Sequence, residues 1–389
     1  MAPLALGGGI VQATTLTVAS GAKLIGFGSV QNAVTNAGLI EANGGTLTVT
    51  GSITGAGTPQ ADIGATLALT GPSSLASKVT DNGTVSLGGG TLKATTFTVA
   101  SGSKLIGFGT VQNAVANAGT IEANGGALTV TGAITGAGTL QADSAATLAL
   151  TGSSILAAQV TDKGAVSLGG GTLKATTFTV ASGSKLIGFG TVQNAVSNAG
   201  LVEANGGTLA VTGAITGAGT LQADSGATLA LTGAVNSATK VTDNGTVSIG
   251  VGDTLTVTGS VDPASTGVFL LNNSSVLDVA VDKGTSNKMS FIGTGKLSVD
   301  AIAQFGNNIG TTSYTGPLLE SFGTGDTVQL KDLNFAGASI VSYTSASGLL
   351  QLANGATKST LLFQDSTLGG TKTFHLGNDG GGHVLLTET

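Results

Sequence analysis

Between residues 46 and 50 the chain alternates: Leu47 and Val49 fall on one side, Thr46, Thr48 and Thr50 on the other. A period of two is the mark of a strand with one buried face. The same alternation returns in "TLALTG", in "SVLDVAV" at 275–281, in "KLSVDAI" at 296–302 and in "GLLQLANG" at 348–355. Glycine-rich pieces such as "NGG", "GAG" and "LGGG" follow within a few residues, and they predict corners where positive φ carries little steric cost. No window holds a helical period, because β-branched residues and glycine interrupt every candidate.

These strands belong to a larger repeat. "LIGFG" starts at Leu24, Leu105 and Leu186, 81 residues apart each time, and residues 85–115 recur unchanged at 166–196. The same offset carries Glu41 to Glu122 and Glu203, and Asp62 to Asp143 and Asp224. Three tandem copies therefore occupy residues 1–248, and residues 249–389 form a divergent region that keeps the strand grammar in "TLTVTGSV". Within a copy, "GTIEAN" at 119–124 is echoed by "GTLQAD" 19 residues on, and "LTVTG" at 128–132 by "LALTG" 20 residues on.

Short strands with glycine corners and about twenty residues per rung predict an all-β chain, a parallel β-helix or β-solenoid, in which stacking creates the core. Four rungs fill each copy, so at about 4.8 Å per rung equivalent residues of successive copies fall on one line about 19 Å apart, in a rod of about 90 Å. Residues 249–389 continue the solenoid and end it with a cap, since bare terminal rungs invite pairing. The first copy begins near Leu6 with no cap-like sequence, so its first rung is expected to be a cut surface or to dock onto another subunit. Pro59 stands where the other copies have Leu140 and Leu221, and it is read as an edge, bulge or corner residue, the tolerated corner proline being preferred.

Composition narrows the classes of function. Glycine supplies 65 of 389 residues, charged residues are 9% and hydrophobic residues 41%, which fits neither collagen nor a disordered linker. The net charge is −6 and the basic residues are all lysine, which argues against nucleic acid as a partner. Cysteine is absent, which removes disulfides and thiolate metal sites and agrees with export without requiring it. No apolar run is long enough for a transmembrane segment, and "MAPLALGGGIVQATT" lacks the basic and apolar regions of a secretory leader, so an exported chain is expected to have its leader elsewhere or removed.

Candidate chemistry is sparse. Glu122, Asp143 and Asp162 recur in each copy, but an offset of 19 places Gln141 over Glu122 and Asp143 over Asn124, so carboxylates alternate with amides and stacked polar ladders are preferred to a catalytic dyad. In the divergent region Asp278 with Asp282, or Asp326 with Asp332, are the pairs that could meet at a metal. "LGNDGGGHV" has its glycines in the wrong order for a calcium-loading nonapeptide and reads as a turn. His375 and His383 lie eight apart across that turn and read as surface histidines. "LGGGT" has no following GK[ST] and no helix, no G-x-S-x-G elbow occurs, and threonines such as Thr96 and Thr98 reflect β-propensity rather than an ice-binding array. No catalytic, cofactor-binding or metal-binding residue is assigned.

The residues carry a resemblance. "FGTGDTVQLKDLNFAGASIVSY", "SGLLQLANGATKSTLLF" and "FHLGNDGGGHVLL" resemble the C-terminal module of large β-strand-repeat proteins secreted by alphaproteobacteria, and "NAGTIEANGGALTVTGAITGAGTLQAD" is similar to the β-helical stalks of autotransporter and haemagglutinin-type adhesins. The resemblance spans nearly the whole chain. It implies a right-handed coil, as does the general preference for right-handed crossovers. It also implies an extracellular or surface location in a Gram-negative bacterium and a structural or adhesive role without catalysis. Implied partners are the chain itself, end to end as a filament, and surface glycans. The alternative is a carbohydrate-binding or polysaccharide-processing β-helix with its site in residues 249–389. A repeated surface favours the first, since identical weak contacts sum by multivalency whereas an active site needs one unusual constellation.

Overall fold

The computed structural model describes residues 2–75, 78–364 and 373–389. These residues are short strands joined by tight corners, and the 3-10 turns Ile302–Gln304 and Phe335–Gly337 are their only helical pieces. The chain divides into two compact units, Met1–Gln193 and Asn194–Thr389. Each is a parallel β-solenoid, and the end of the third copy lies inside the second unit.

In the first unit each coil has three sides. Lys78–Asp81 forms one; the strand Thr84–Lys93 bends at its glycines, so that residues 84–87 form the second and 91–93 the third; Thr96–Val99 then lies on Lys78–Asp81 in parallel register. Alternation decides what is buried. Val79, Val85, Leu87 and Leu92 point inward with at most 2% exposure, while the threonines and serines between them face out. Each inward residue lies on its counterpart in the next coil, as Ile121 does on Leu140 and Leu128 on Leu148. Coils are thus about 19 residues long, as the offsets inside the copies predict.

The 81-residue copy is not a whole number of coils. Leu24 leads up one side through Ile40, Pro59 and Val79 to Phe97. Leu105 is eight residues further on and belongs to the next side, stacked on Val85 and Leu67. Leu186 belongs to the third, over Val166, Leu148 and Leu128. A copy is therefore four coils and one side, and its equivalents turn by a third of a revolution each time. This corrects the expectation of four whole rungs with equivalent residues on one line.

Glycine is required where backbones meet. Gly107 has φ +109°, and a Cβ there would lie 2.1 Å from the Leu87 carbonyl oxygen of the coil below. "LIGFG" is kept because its first glycine turns a corner in contact with the previous coil, while Leu105 and Val111 on either side are core.

Pro59 is neither edge nor corner, contrary to the sequence reading. It is buried within the strand Thr58–Ala61, in register with Ile40 below. The ladder to the coil above joins only Gln60 to Thr80 and Ala61 to Asp81, whereas the corresponding ladder of the second copy also joins Thr139 to Gln159 and Leu140 to Val160. A missing N–H shortens the ladder, and a corner is not needed to tolerate it.

The second unit continues the same construction. Leu229, Val247, Phe269, Met289 and Leu319 stack on one side, and Leu255, Leu277, Leu297 and Val328 on another. Antiparallel pairing then takes over, although Thr357–Phe363 still lies parallel on Leu318–Glu320. His383–Glu388 pairs antiparallel with Thr327–Asn334, and Ala338–Thr344, Leu349–Asn354 and Thr357–Phe363 form an antiparallel meander. Phe291, Phe322, Phe363 and Phe374 fill the end of the core, with ring centroids 4.8 to 6.3 Å apart. This is the capping region expected beyond residue 249.

Replacing Pro59 by Leu, as at Leu140 and Leu221, should restore ladder bonding and stabilise the chain by about 1 kcal/mol. Denaturant unfolding of Pro59→Leu beside the natural chain checks this; an unchanged or lowered midpoint would show that the proline costs nothing.

Candidate functional site

The outward faces of the copies are built from ladders. Gln60 lies over Glu41 and Gln141 over Glu122, as their spacing predicts. Asn43 Nδ2 donates to Asp62 Oδ2 at 2.7 Å and Gln60 Nε2 to Asp62 Oδ1 at 2.6 Å; Asn124 and Gln141 hold Asp143 at 2.9 and 2.6 Å. In the second unit Asn205 and Gln222 hold Asp224 at 2.5 and 2.7 Å. Burial acts to raise the Asp62 pKa, but the amide bonds outweigh it and hold the carboxyl low, and Asp143 is held low first by Gln141. Glu41 is pushed up by burial and then by the Asp62 carboxylate beside it. The carboxylates thus meet on the diagonal, which the ladder spacing alone does not reveal. Lys23 and Lys104 stand 3.9 and 3.7 Å from Glu41 and Glu122.

Next to the ladders of the first unit is an aromatic residue that the sequence reading passed over. Phe27, Phe108 and Phe189 point outward and are 39 to 40% exposed. The ring of Phe108 rests against glycine backbone: a Cβ at Gly89 would come within 3.1 Å of its side chain and one at Gly126 within 3.0 Å. Each phenyl stands at the bend between two sides, where the register shifts, and because Leu24, Leu105 and Leu186 lie on three different sides the three bends are different ones. The signal was present in the sequence, as a large apolar residue out of phase with the inward positions.

Beyond residue 249 the structure separates the paired aspartates. Asp278 faces outward, while Asp282 is fully buried and accepts from Asn287 Nδ2 at 2.8 Å and from Gly284 N at 3.0 Å. Burial raises Asp282 to about 6. Asp326 accepts from Gly295 N at 2.7 Å and Gly323 N at 2.9 Å, and Asp332 from Ile302 N at 2.9 Å, so each closes a separate backbone corner. The partner that Asp278 does meet is Lys331, whose Nζ lies 2.7 Å from both Asp278 and Asp300. Burial works against the Lys331 charge, but the two carboxylates overcome it and hold its pKa up, which keeps it a cation rather than a base.

The "GNDGGG" segment is a turn, as read. Asn378 accepts from Gly380 N, and Asp379 from Gly381 N and His383 N, with His383 Nδ1 2.8 Å from Asp379 Oδ2. That ring and those N–H groups hold Asp379 well below the ordinary carboxylate range. His375 instead meets Thr389 Oγ1 at 2.8 Å and is in register with Thr387, so the two histidines do not converge. Among the described residues no group of three or more His, Asp or Glu side chains is placed to hold a metal ion.

One edge is open. Leu4–Val11 corresponds to residues 85–92, with which it shares "LGGG", and pairs above with Lys23–Val30, but among the described residues nothing pairs below it. Its counterparts lie between coils. Val85 and Val166 are 0% exposed, whereas Leu4 at the same position is 46% exposed; Ile10, 63% exposed, stands at the outward position that Thr91 fills. The bare lower edge has the shape that a "TLALTG" coil covers in the second and third copies.

No family model, curated protein or solved structure matches the chain. Among the described residues no helix is long and apolar enough to cross a membrane.

Replacing Asn124 by Asp removes a donor to Asp143 and sets two carboxylates together. Stability should fall by about 1 kcal/mol at neutral pH and recover as the pair takes up a proton in acid. Urea unfolding at both pH values measures this.

Proposed function

We propose that the chain is an extracellular structural or adhesive repeat protein, a fibre-forming surface component of a Gram-negative bacterium without catalytic activity. The observation that carries the reading is the turning of the copies: the same exposed phenyl is made three times in the first unit and presented at three different bends of the coil. Repeated weak contacts gain from such an arrangement, because each further contact is intramolecular once the first has formed. The polar groups of that surface are already hydrogen-bonded to one another, which suits a stiff, passive face better than proton transfer. The partners in this reading are a second copy, met end to end through Leu4–Val11, and surface glycans, whose apolar ring faces match an exposed phenyl.

The second reading is a polysaccharide-processing β-helix. It is favoured by the group Asp278, Lys331 and Asp300, two carboxylates and a lysine on one exposed face beyond residue 249. Release of sugar from plant or bacterial polysaccharides, abolished in Asp278→Asn and Asp300→Asn, would replace the first reading by this one.

Electron microscopy and sedimentation of the purified chain test the first reading. Association through Leu4–Val11 should give concentration-dependent fibres, and Leu4→Lys with Ile10→Lys should leave single particles, because charges on an open edge oppose strand pairing. Fibres that persist unchanged in the double variant would remove this edge from the assembly.

A further inference from the structure

The repeated corners carry a chemical feature unrelated to the outward surface. Asn36, Asp81, Asn117, Asp162, Asn198 and Asp243 are all buried at the ends of strands, each followed two residues later by glycine, whose N–H donates to the side-chain Oδ1 at 3.0 to 3.2 Å. The device is one Asx corner used with two residue types, so each copy has an amide corner and an acid corner. At two of the three amide corners the second side-chain atom is bonded: Asn117 and Asn198 Nδ2 donate to the carbonyls of Thr139 and Thr220 in the next coil, at 3.3 and 3.1 Å, while Asn36 Nδ2 meets no partner.

At the acid corners the second atom is an oxygen. Oδ2 of Asp81, Asp162 and Asp243 is fully buried and meets no hydrogen-bond partner. In register with Asp81 are Ala61 below and Val99 above, and with Asp162 Ala142 and Val180. Asp243 lies over Ala223 and receives Gly267 against its Oδ1, with Ser265 Oγ accepting from its main-chain N–H. No lysine or histidine acts on any of the three; the influences on each carboxyl are burial and the backbone N–H groups that bond it. Asp282, another buried acid, differs: it has the Asn287 amide on both oxygens, and its charge acts on the Tyr314 hydroxyl. A carboxylate at the repeat corners would be an unpaired charge without water, whereas a carboxylic acid has the shape and donor of the amide used at Asn117.

We propose that Asp81, Asp162 and Asp243 are a proton-operated lock: in acid they stand in the folded chain as neutral carboxylic acids, so that the solenoid is tightened by acid and loosened as the pH rises to neutral. Burial moves all three carboxyls up to about 7, against the opposing pull of the glycine N–H and of the N–H two residues beyond it. An unfolded aspartate releases its proton near pH 4. Between pH 4 and 7 the folded state therefore holds more protons than the unfolded one, and stability falls as pH rises through this window. Asp282 acts in the same direction over a narrower range, while the carboxyls held low, such as Asp62 and Asp143, lose their contribution only below pH 4.

The test is thermal and denaturant unfolding of the full chain from pH 5 to pH 8, beside the triple variant Asp81→Asn, Asp162→Asn, Asp243→Asn. The natural chain should lose midpoint steadily over that range. The variant, which places at three corners the residue already found at three others, should keep a high midpoint at pH 8 and lose most of the slope. A natural chain whose stability is flat or rises toward pH 8, or a variant with an undiminished slope, overturns the lock. Infrared spectroscopy reads the same groups without unfolding: the carbonyl band of neutral carboxylic acid should be present in the folded natural chain at pH 6 and absent at pH 9. Its absence at pH 6 would overturn the proposal even where the variant fails to fold.

Discussion

Everything in this chain depends on one coil lying on the next. A single coil of about 19 residues has its apolar residues on the inside of a loop too small to form a core, so Val79 or Leu128 leaves water only when the coils above and below are in place. Leu4–Val11 shows the constraint by exception, for it corresponds to residues 85–92 and shares their "LGGG", and yet leaves Leu4 nearly half exposed. The burial of a residue is decided by its neighbours along the stack, not by its own strand.

Stacking also explains why chemistry concentrates at corners. On the sides, parallel ladders pair the backbone groups, and inward positions can be purely aliphatic. At the corners the ladder is interrupted, and main-chain N–H groups need acceptors in a space closed to water. The Asx corners at Asn36, Asp81 and their relatives meet that need, and the aspartates among them bring acidic groups into the core as a by-product. The same logic places Asp326 and Asp332, which look in sequence like a possible metal pair and in the structure each serve a different turn.

The copies gain a property from a small arithmetic mismatch. With 81 residues and coils of about 19, duplication adds four coils and one side, so a surface that is identical in sequence is turned by a third of a revolution. Phe27, Phe108 and Phe189 are then not a row but three faces. Each copy also changes the side on which its acid corner lies, as the separate ladders of Asp81 and Asp162 show.

The sequence by itself determined the strands, their inward residues, the coil length and the stacking of Gln141 on Glu122, because these follow from period-two alternation and from offsets of 19 and 20 that can be counted along the chain. It also showed that the ladders would pair acids with amides and that "GNDGGG" would turn. What only the tertiary structure decided was the relation between positions that no fixed offset links: the rotation of the copies, the diagonal meeting of Glu41 and Asp62, the bridge of Lys331 to Asp278 and Asp300, and the place of Pro59 within a ladder rather than at a corner. Within the copies coil lengths vary from 16 to 21 residues, as in Leu24 to Ile40 and Ile134 to Ile155, and beyond them they reach 31, as in Leu297 to Val328. Small differences in corner length therefore accumulate along the stack, and only the folded backbone records their sum.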